Sequence, residues 1–201
     1  MKTNNYPIVT ILLALLTLCF SFYAALEISG SFFGKVRVVQ LEAYGGIYIE
    51  HLANFELWRL LSSQLVHVKQ AHMLYNVLSL LVIAYYIERK LGATRLFILW
   101  FFSGAIGTVF STFFVPSPWN LGTGGSQAIF GLAAYCVLMH YRGIDTSRRL
   151  KFIIAFTMLP ALTLDMLFAH YPKPGHVLSF LVGMAISHFF LKKYPGQLQY
   201  K

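Results

Sequence analysis

Residues 121–139 read LGTGGSQAIFGLAAYCVLM. From Ser126 onward the stretch is apolar, rich in small residues and uncharged, which predicts a helix over 126–139. Crossing a bilayer in contact with lipid takes about 20 residues, within a range of about 17–25. The predicted helix is shorter than that, so it must be surrounded by other helices. The remaining sequence supplies them. Apolar segments run over 7–26, 71–87, 96–115, 152–168 and 176–191. The expectation is an all-α membrane protein, a bundle of six transmembrane helices with a long outer loop between helices one and two.

The composition agrees. Of 201 residues, 57% are hydrophobic and 11% are charged, and mean hydropathy is +0.63. Soluble domains carry about 25% charged residues, so a water-soluble globule of this size would lack polar side chains to cover its surface. A disordered chain and a disulfide scaffold are excluded on the same ground. Cys19 and Cys136 both lie inside apolar runs and read as buried thiols. The net charge of +9 would suggest nucleic acid on a soluble chain. Here the cations sit between apolar runs, where they report topology, and no nucleic-acid partner is expected.

Lys2 precedes helix one; Arg89, Lys90 and Arg95 follow helix two; Arg142, Arg148, Arg149 and Lys151 follow helix four; Lys192, Lys193 and Lys201 follow helix six. The opposite loops mix Lys35, Arg37, Arg59, Lys69 and Lys173 with Glu27, Glu42, Glu50 and Glu56. The positive-inside rule then places both termini in the cytoplasm. Helix one is expected to be retained: its apolar run exceeds that of a signal peptide and no A-x-A site follows. With no long targeting extension, a bacterial inner membrane is the expected location. Residues 28–69 are too polar to span and are expected to fold back onto the outer membrane surface. No second domain, repeat or low-complexity tract is visible, so 1–201 reads as one membrane domain.

Polar groups inside membrane helices are costly and are functional candidates by default. His72 and Asn76 open helix two, Ser126 helix four and His176 helix six. In this topology all three helices start at the outer face, so these groups share a depth. Each has a plainer reading. Ser126 after Gly-Thr-Gly-Gly can cap a helix. His176 can be an interfacial histidine. His72 and Asn76, four residues apart, share a helix face and can cross-link helices. Asp165, near the outer end of helix five, reads as an acceptor for a loop amide.

Together they read differently. Serine becomes a nucleophile when histidine can take its proton. Ser179 and Gly183 on helix six, facing Gly131, Ala133 and Ala134 on helix four, allow the close approach that brings His176 to Ser126. The free N–H groups at the start of helix four, with Asn76 and His72, offer donors for a developing oxyanion. Gly122, Gly124 and Gly125 leave room for a substrate backbone. The constellation needs no carboxylate.

The blocks ELWRLLSSQLVH (56–67), AHMLYNVLSLL (71–81), YYIERKLGATRLF (85–97), GGSQAIFGL (124–132) and GHVLSFLVG (175–183) resemble, in order and spacing, a rhomboid intramembrane serine protease. The likeness covers 56–193. H-x-x-x-N, E-x-x-L-G, G-x-S and a glycine-flanked histidine, each on the expected helix, carry it. The resemblance implies Ser126 as nucleophile and His176 as its base in a catalytic dyad. It implies His72, Asn76 and the Ser126 backbone as oxyanion stabilisers, with Gly124, Gly125 and Gly183 as motif support. Trp58, Arg59 and Glu88 match structural positions of the family. A six-helix bundle around a short fourth helix is implied, with a cavity open to the outer face, no metal and no cofactor. The implied partners are membrane lipid and single-pass transmembrane protein substrates, cut in or near their membrane segments.

Two positions depart from the family pattern. Gln127 follows the nucleophile where glycine is usual, and Ser179 replaces the first glycine of the helix-six pair. Gln127 leaves room for a second reading, an inactive relative that binds membrane clients. A small transporter using His72, Asp165 and His176 as a proton path is the remote alternative; the missing internal repeat and the clustering of polar residues at one face count against it.

Overall fold

The structure, a computed structural model, describes residues 6–193. Lys2 and Lys201 lie outside the described residues, as does the side chain of Lys193. The helices are α1 (Ile8–Ser29), α2 (Ile49–Ala53), α3 (Arg59–Ser62), α4 (Gln70–Leu91), α5 (Ala93–Phe114), α6 (Ser126–Tyr141), α7 (Arg148–Phe168) and α8 (Pro174–Lys193), with a 3₁₀ turn at Val38–Glu42. The six apolar segments correspond to α1, α4, α5, α6, α7 and α8. Five of these, all but α6, are long and apolar enough to cross a membrane.

Local chemistry explains the breaks. Gly30 ends α1 at φ +71°, returning its N–H to Leu26 O, a left-handed cap that suits glycine. Gly92, also at positive φ, separates α4 from α5. Ser147 caps α7 by accepting from the Leu150 N–H. Pro174 opens α8, where its missing N–H costs nothing.

α6 is the hub. It packs against α8, α5, α7 and α4, and thirteen of its sixteen residues are buried, so it is sheathed by protein along nearly its whole length. Its shortness is thereby explained. Small residues allow the tight packing: a Cβ added at Gly183 would lie 2.4 Å from Gly131 O, so α8 and α6 touch backbone to backbone there. Ser179 faces Gly107 of α5 instead, and Gly175 approaches the Gly107 carbonyl.

Residues between α1 and α4 form a folded lobe. Val36, Val38, Leu41 and Val66 cluster with Leu121 and with Ala24 and Ala25 of α1. Arg59 holds the lobe together: its Nη1 donates to Glu42 O (2.6 Å) and Gly46 O (2.7 Å), its Nε to Glu56 Oε2 (2.6 Å), and its guanidinium lies over the Trp58 ring. A bridge between Ile47 and Gly122 ties the lobe to the strand-like approach to α6. At the opposite end of α4, Glu88 accepts from Val9 N, Thr10 N and Thr10 Oγ1. It satisfies the free N–H groups at the start of α1.

Candidate active site

The start of α6 is shaped by the glycines before it. Gly124 adopts φ +95°, which few other residues tolerate, and donates its N–H to Ser63 O (2.7 Å). Gly125 is the N-cap residue, and no side chain caps the helix. Ser126 therefore does not act as the cap that its local sequence suggests. Its hydroxyl points across to α8.

There it meets His176: Ser126 Oγ lies 2.9 Å from His176 Nε2, across fifty residues of sequence. Both residues are buried. His176 is held from two further sides. The Phe130 ring stacks on the imidazole, and Asp165 Oδ2 lies 2.6 Å from Nδ1. Asp165 also accepts from the Lys173 backbone N–H (3.0 Å), the loop-amide role its sequence position suggests, and its Oδ1 faces Lys173 Nζ at 3.3 Å. The sequence reading needs no carboxylate in the constellation, and the structure sets a buried one in contact with the histidine. The physical reason is that α7 and α8 are joined by a turn of a few residues, which sets the last turn of one beside the first turn of the other. Asp165 and His176, eleven residues apart, fall on either side of that turn.

His72 and Asn76 are brought together, with Asn76 Nδ2 3.3 Å from His72 Nε2. Asn76 is closer to His67, a residue that sequence reasoning gave no role: Asn76 Nδ2 stands 2.9 Å from His67 Nε2. The Gly125 N–H donates to that same nitrogen at 3.2 Å. An atom that accepts two such bonds carries no proton, so the His67 proton sits on Nδ1. It faces Ser21 Oγ (3.1 Å), which donates onward to Leu65 O (2.7 Å). Burial, with His72 nearby, pushes the His67 pKa down to about 3, so the ring stays neutral. The signals for His67 in the sequence are its place at the end of the block ELWRLLSSQLVH and its spacing of five residues before His72.

Gln127 is buried, and its Oε1 lies 3.2 Å from Ser126 Oγ. The serine hydroxyl has one proton and two acceptors in reach, His176 and Gln127. A small cavity lies behind the glycines, lined by Gln64, His67, Asn76, Trp100, Gly125 and Ile129 among others.

Residues 54–193 match the family model of the Rhomboid domain. The chain is similar to the putative rhomboid protease YdcA of Bacillus subtilis, with 31% identity over 160 residues covering 77% of this chain and 75% of that one. It is 33% identical to rhomboid protease GluP of the same organism over 128 residues, 64% of this chain and 24% of GluP. It is also 34% identical over 93 residues to inactive RHOMBOID-like protein 8 of Arabidopsis thaliana, covering 46% of this chain and 26% of that protein.

Proposed function

The chain belongs to the rhomboid family, and we propose that it is an intramembrane serine endopeptidase cutting transmembrane protein substrates in or near their membrane segments. The observation that carries this reading is the 2.9 Å approach of Ser126 Oγ to His176 Nε2 in a buried setting. That distance lies within the range of a nucleophile and its general base.

In this reading the whole chain is one membrane domain of six spans. Five are the long apolar helices and the sixth is α6, enclosed by the others. Both termini are cytoplasmic, and the membrane is a bacterial inner membrane. Ser126 Oγ attacks the scissile carbonyl carbon while its proton passes to His176 Nε2. The carbonyl oxygen becomes an oxyanion, stabilised by the Ser126 backbone N–H, which precedes the first intrahelical bond of α6, and by Asn76 and His72. Collapse expels the amine, which takes the proton from His176 and leaves an acyl-serine. Water, deprotonated by His176, hydrolyses the ester and restores Ser126. The substrate helix must unwind first, because only an exposed peptide bond can reach Ser126; unpaired backbone groups are costly in lipid, which favours bonds near the interface or beside weak helix formers.

The test is cleavage of a panel of single-pass model substrates by the purified chain in liposomes, comparing wild type with Ser126→Ala and His176→Ala. Cleavage by wild type alone supports the reading; cleavage that survives Ser126→Ala overturns it.

A second reading, an inactive relative that binds membrane clients, is favoured by the contact between Gln127 and Ser126. Under it, wild type neither cleaves nor reacts with a fluorophosphonate probe.

A further inference from the structure

We propose that Asp165 is a positioning residue for His176, turning the serine–histidine pair into a three-membered relay of orientation; this rests on the protease reading above. The two side chains meet at 2.6 Å with side-chain exposures of 1% and 3%. An ionised carboxylate only accepts hydrogen bonds. The contact therefore fixes the imidazole proton on Nδ1 and leaves the Nε2 lone pair toward Ser126 Oγ, the tautomer a general base requires. Phe130 sets the plane of the ring, and Asp165 sets its rotation within that plane.

Holding the loop before α8 does not by itself require a carboxylate. The Lys173 N–H needs one neutral acceptor, which an amide oxygen would supply. What the carboxylate adds is a charge beside the ring that becomes an imidazolium when Ser126 gives up its proton. The proton on Nδ1 stays there throughout, and Asp165 remains ionised. Lys173 Nζ, at 3.3 Å from Oδ1, occupies the other oxygen, so Oδ2 is the one left for the imidazole and the loop amide. Among the described residues, His72 on α4 is a further titratable neighbour across the site.

Two measurements test this on the full chain. The first is kcat and KM for a single-pass substrate in liposomes, with wild type, Asp165→Asn and Asp165→Ala. Asp165→Ala removes the acceptor, whereas Asp165→Asn keeps the shape and removes the charge. The expected result is a fall in kcat of about 10²–10⁴-fold, larger for alanine, with KM changed little; losing the carboxylate partner of the histidine costs about 10⁴ in a soluble serine protease. The second is the imidazole ¹⁵N spectrum of histidine-labelled wild-type protein, with His176 assigned by its loss in His176→Gln. The expected signature is a protonated Nδ1 and an unprotonated Nε2, lost in Asp165→Ala.

Wild-type activity with kcat nearly unchanged in both variants overturns the role of Asp165 and leaves the protease reading intact. So does an Nε2–H tautomer in the wild type, a result that holds even if the variants fail to fold. A wild type that neither cleaves nor labels with fluorophosphonate overturns both.

Discussion

The Phe130 ring lies face to face with the His176 imidazole, centroids 4.3 Å apart and planes 5° from parallel. Phe130 is one helical turn beyond Ser126, so one face of α6 presents both the hydroxyl and the surface on which the histidine rests. Phe130→Ala should lower cleavage in liposomes about tenfold or more and destabilise the bundle by about 3–5 kcal/mol, as such core truncations do. Phe130→Tyr, which keeps the ring, should retain most of both. Equal activity for alanine and tyrosine variants would show that stacking is irrelevant to the site.

Gln127 offers the serine proton a second acceptor, at 3.2 Å against 2.9 Å for His176. Only the bond to His176 is productive. Removing the competitor, as Gln127→Gly or Gln127→Ala, should raise the rate of fluorophosphonate labelling by about fivefold, the worth of one ordinary hydrogen bond of about 1 kcal/mol. A fall in labelling would show instead that the Gln127 amide assists the attack.

His67 is neutral and buried in the folded chain, with its pKa held down at about 3, against an ordinary value of about 6.5 when unfolded. Between those values the unfolded chain binds the extra proton, so stability is complete above the upper value and falls as pH drops through the window. The full span amounts to about 5 kcal/mol. Thermal unfolding of wild type in detergent should therefore shift to lower temperature between pH 7 and pH 4. His67→Gln should be less stable at pH 7 and respond less steeply to acid. Parallel pH curves for the two proteins would rule out His67 as the source.

Gly183 packs where an added Cβ would stand 2.4 Å from Gly131 O and 2.7 Å from Gly131 Cα. Both contacts are backbone, which cannot swing aside. Gly183→Ala should push α8 from α6, lengthen the approach of His176 to Ser126, and cost about 1–3 kcal/mol, the usual range for overpacking. Gly143→Ala, which meets no atom within 4 Å but sits at φ +68°, serves as a comparison in which backbone strain alone acts. It should lower the unfolding temperature without affecting the proteolytic rate.

The six helical segments are legible because each stands out as an apolar run; the residues that end or open them, Gly30, Gly92, Ser147 and Pro174, come from the structure. The sequence also makes Ser126, His176, His72 and Asn76 legible, because polar residues at helix starts stand out against apolar runs. His67 is hidden because it lies outside a helix, in a loop where histidine is unremarkable. Its importance comes from two partners, Gly125 and Asn76, that only the packing of α4 on α6 brings to it. Asp165 stands out as a polar residue, but its contact with His176 depends on how tightly the chain turns between α7 and α8, and periodicity does not encode that. The lobe between α1 and α4 is legible as a folded piece but not in its wiring, since Arg59 reaches back over thirteen and seventeen residues to carbonyls that have no sequence signature.

The Glu88 clamp on Thr10 has a consequence for a helix that lends no group to the site. Eleven residues farther along, about 16 Å at 1.5 Å per residue, the same helix presents Ser21 to His67. α1 is thus indexed at two notches, against α4 at Glu88 and against the loop before α4 at His67. Sliding it by one turn, about 5.4 Å, would empty both together, stranding a buried carboxylate at one end and the His67 proton at the other. The region matched to the family begins at residue 54, beyond α1, yet the ring that receives the Gly125 N–H is steadied by a hydroxyl from this earlier helix. In this chain α1 works as a spacer bar, setting from one end of the bundle where a histidine stands at the other.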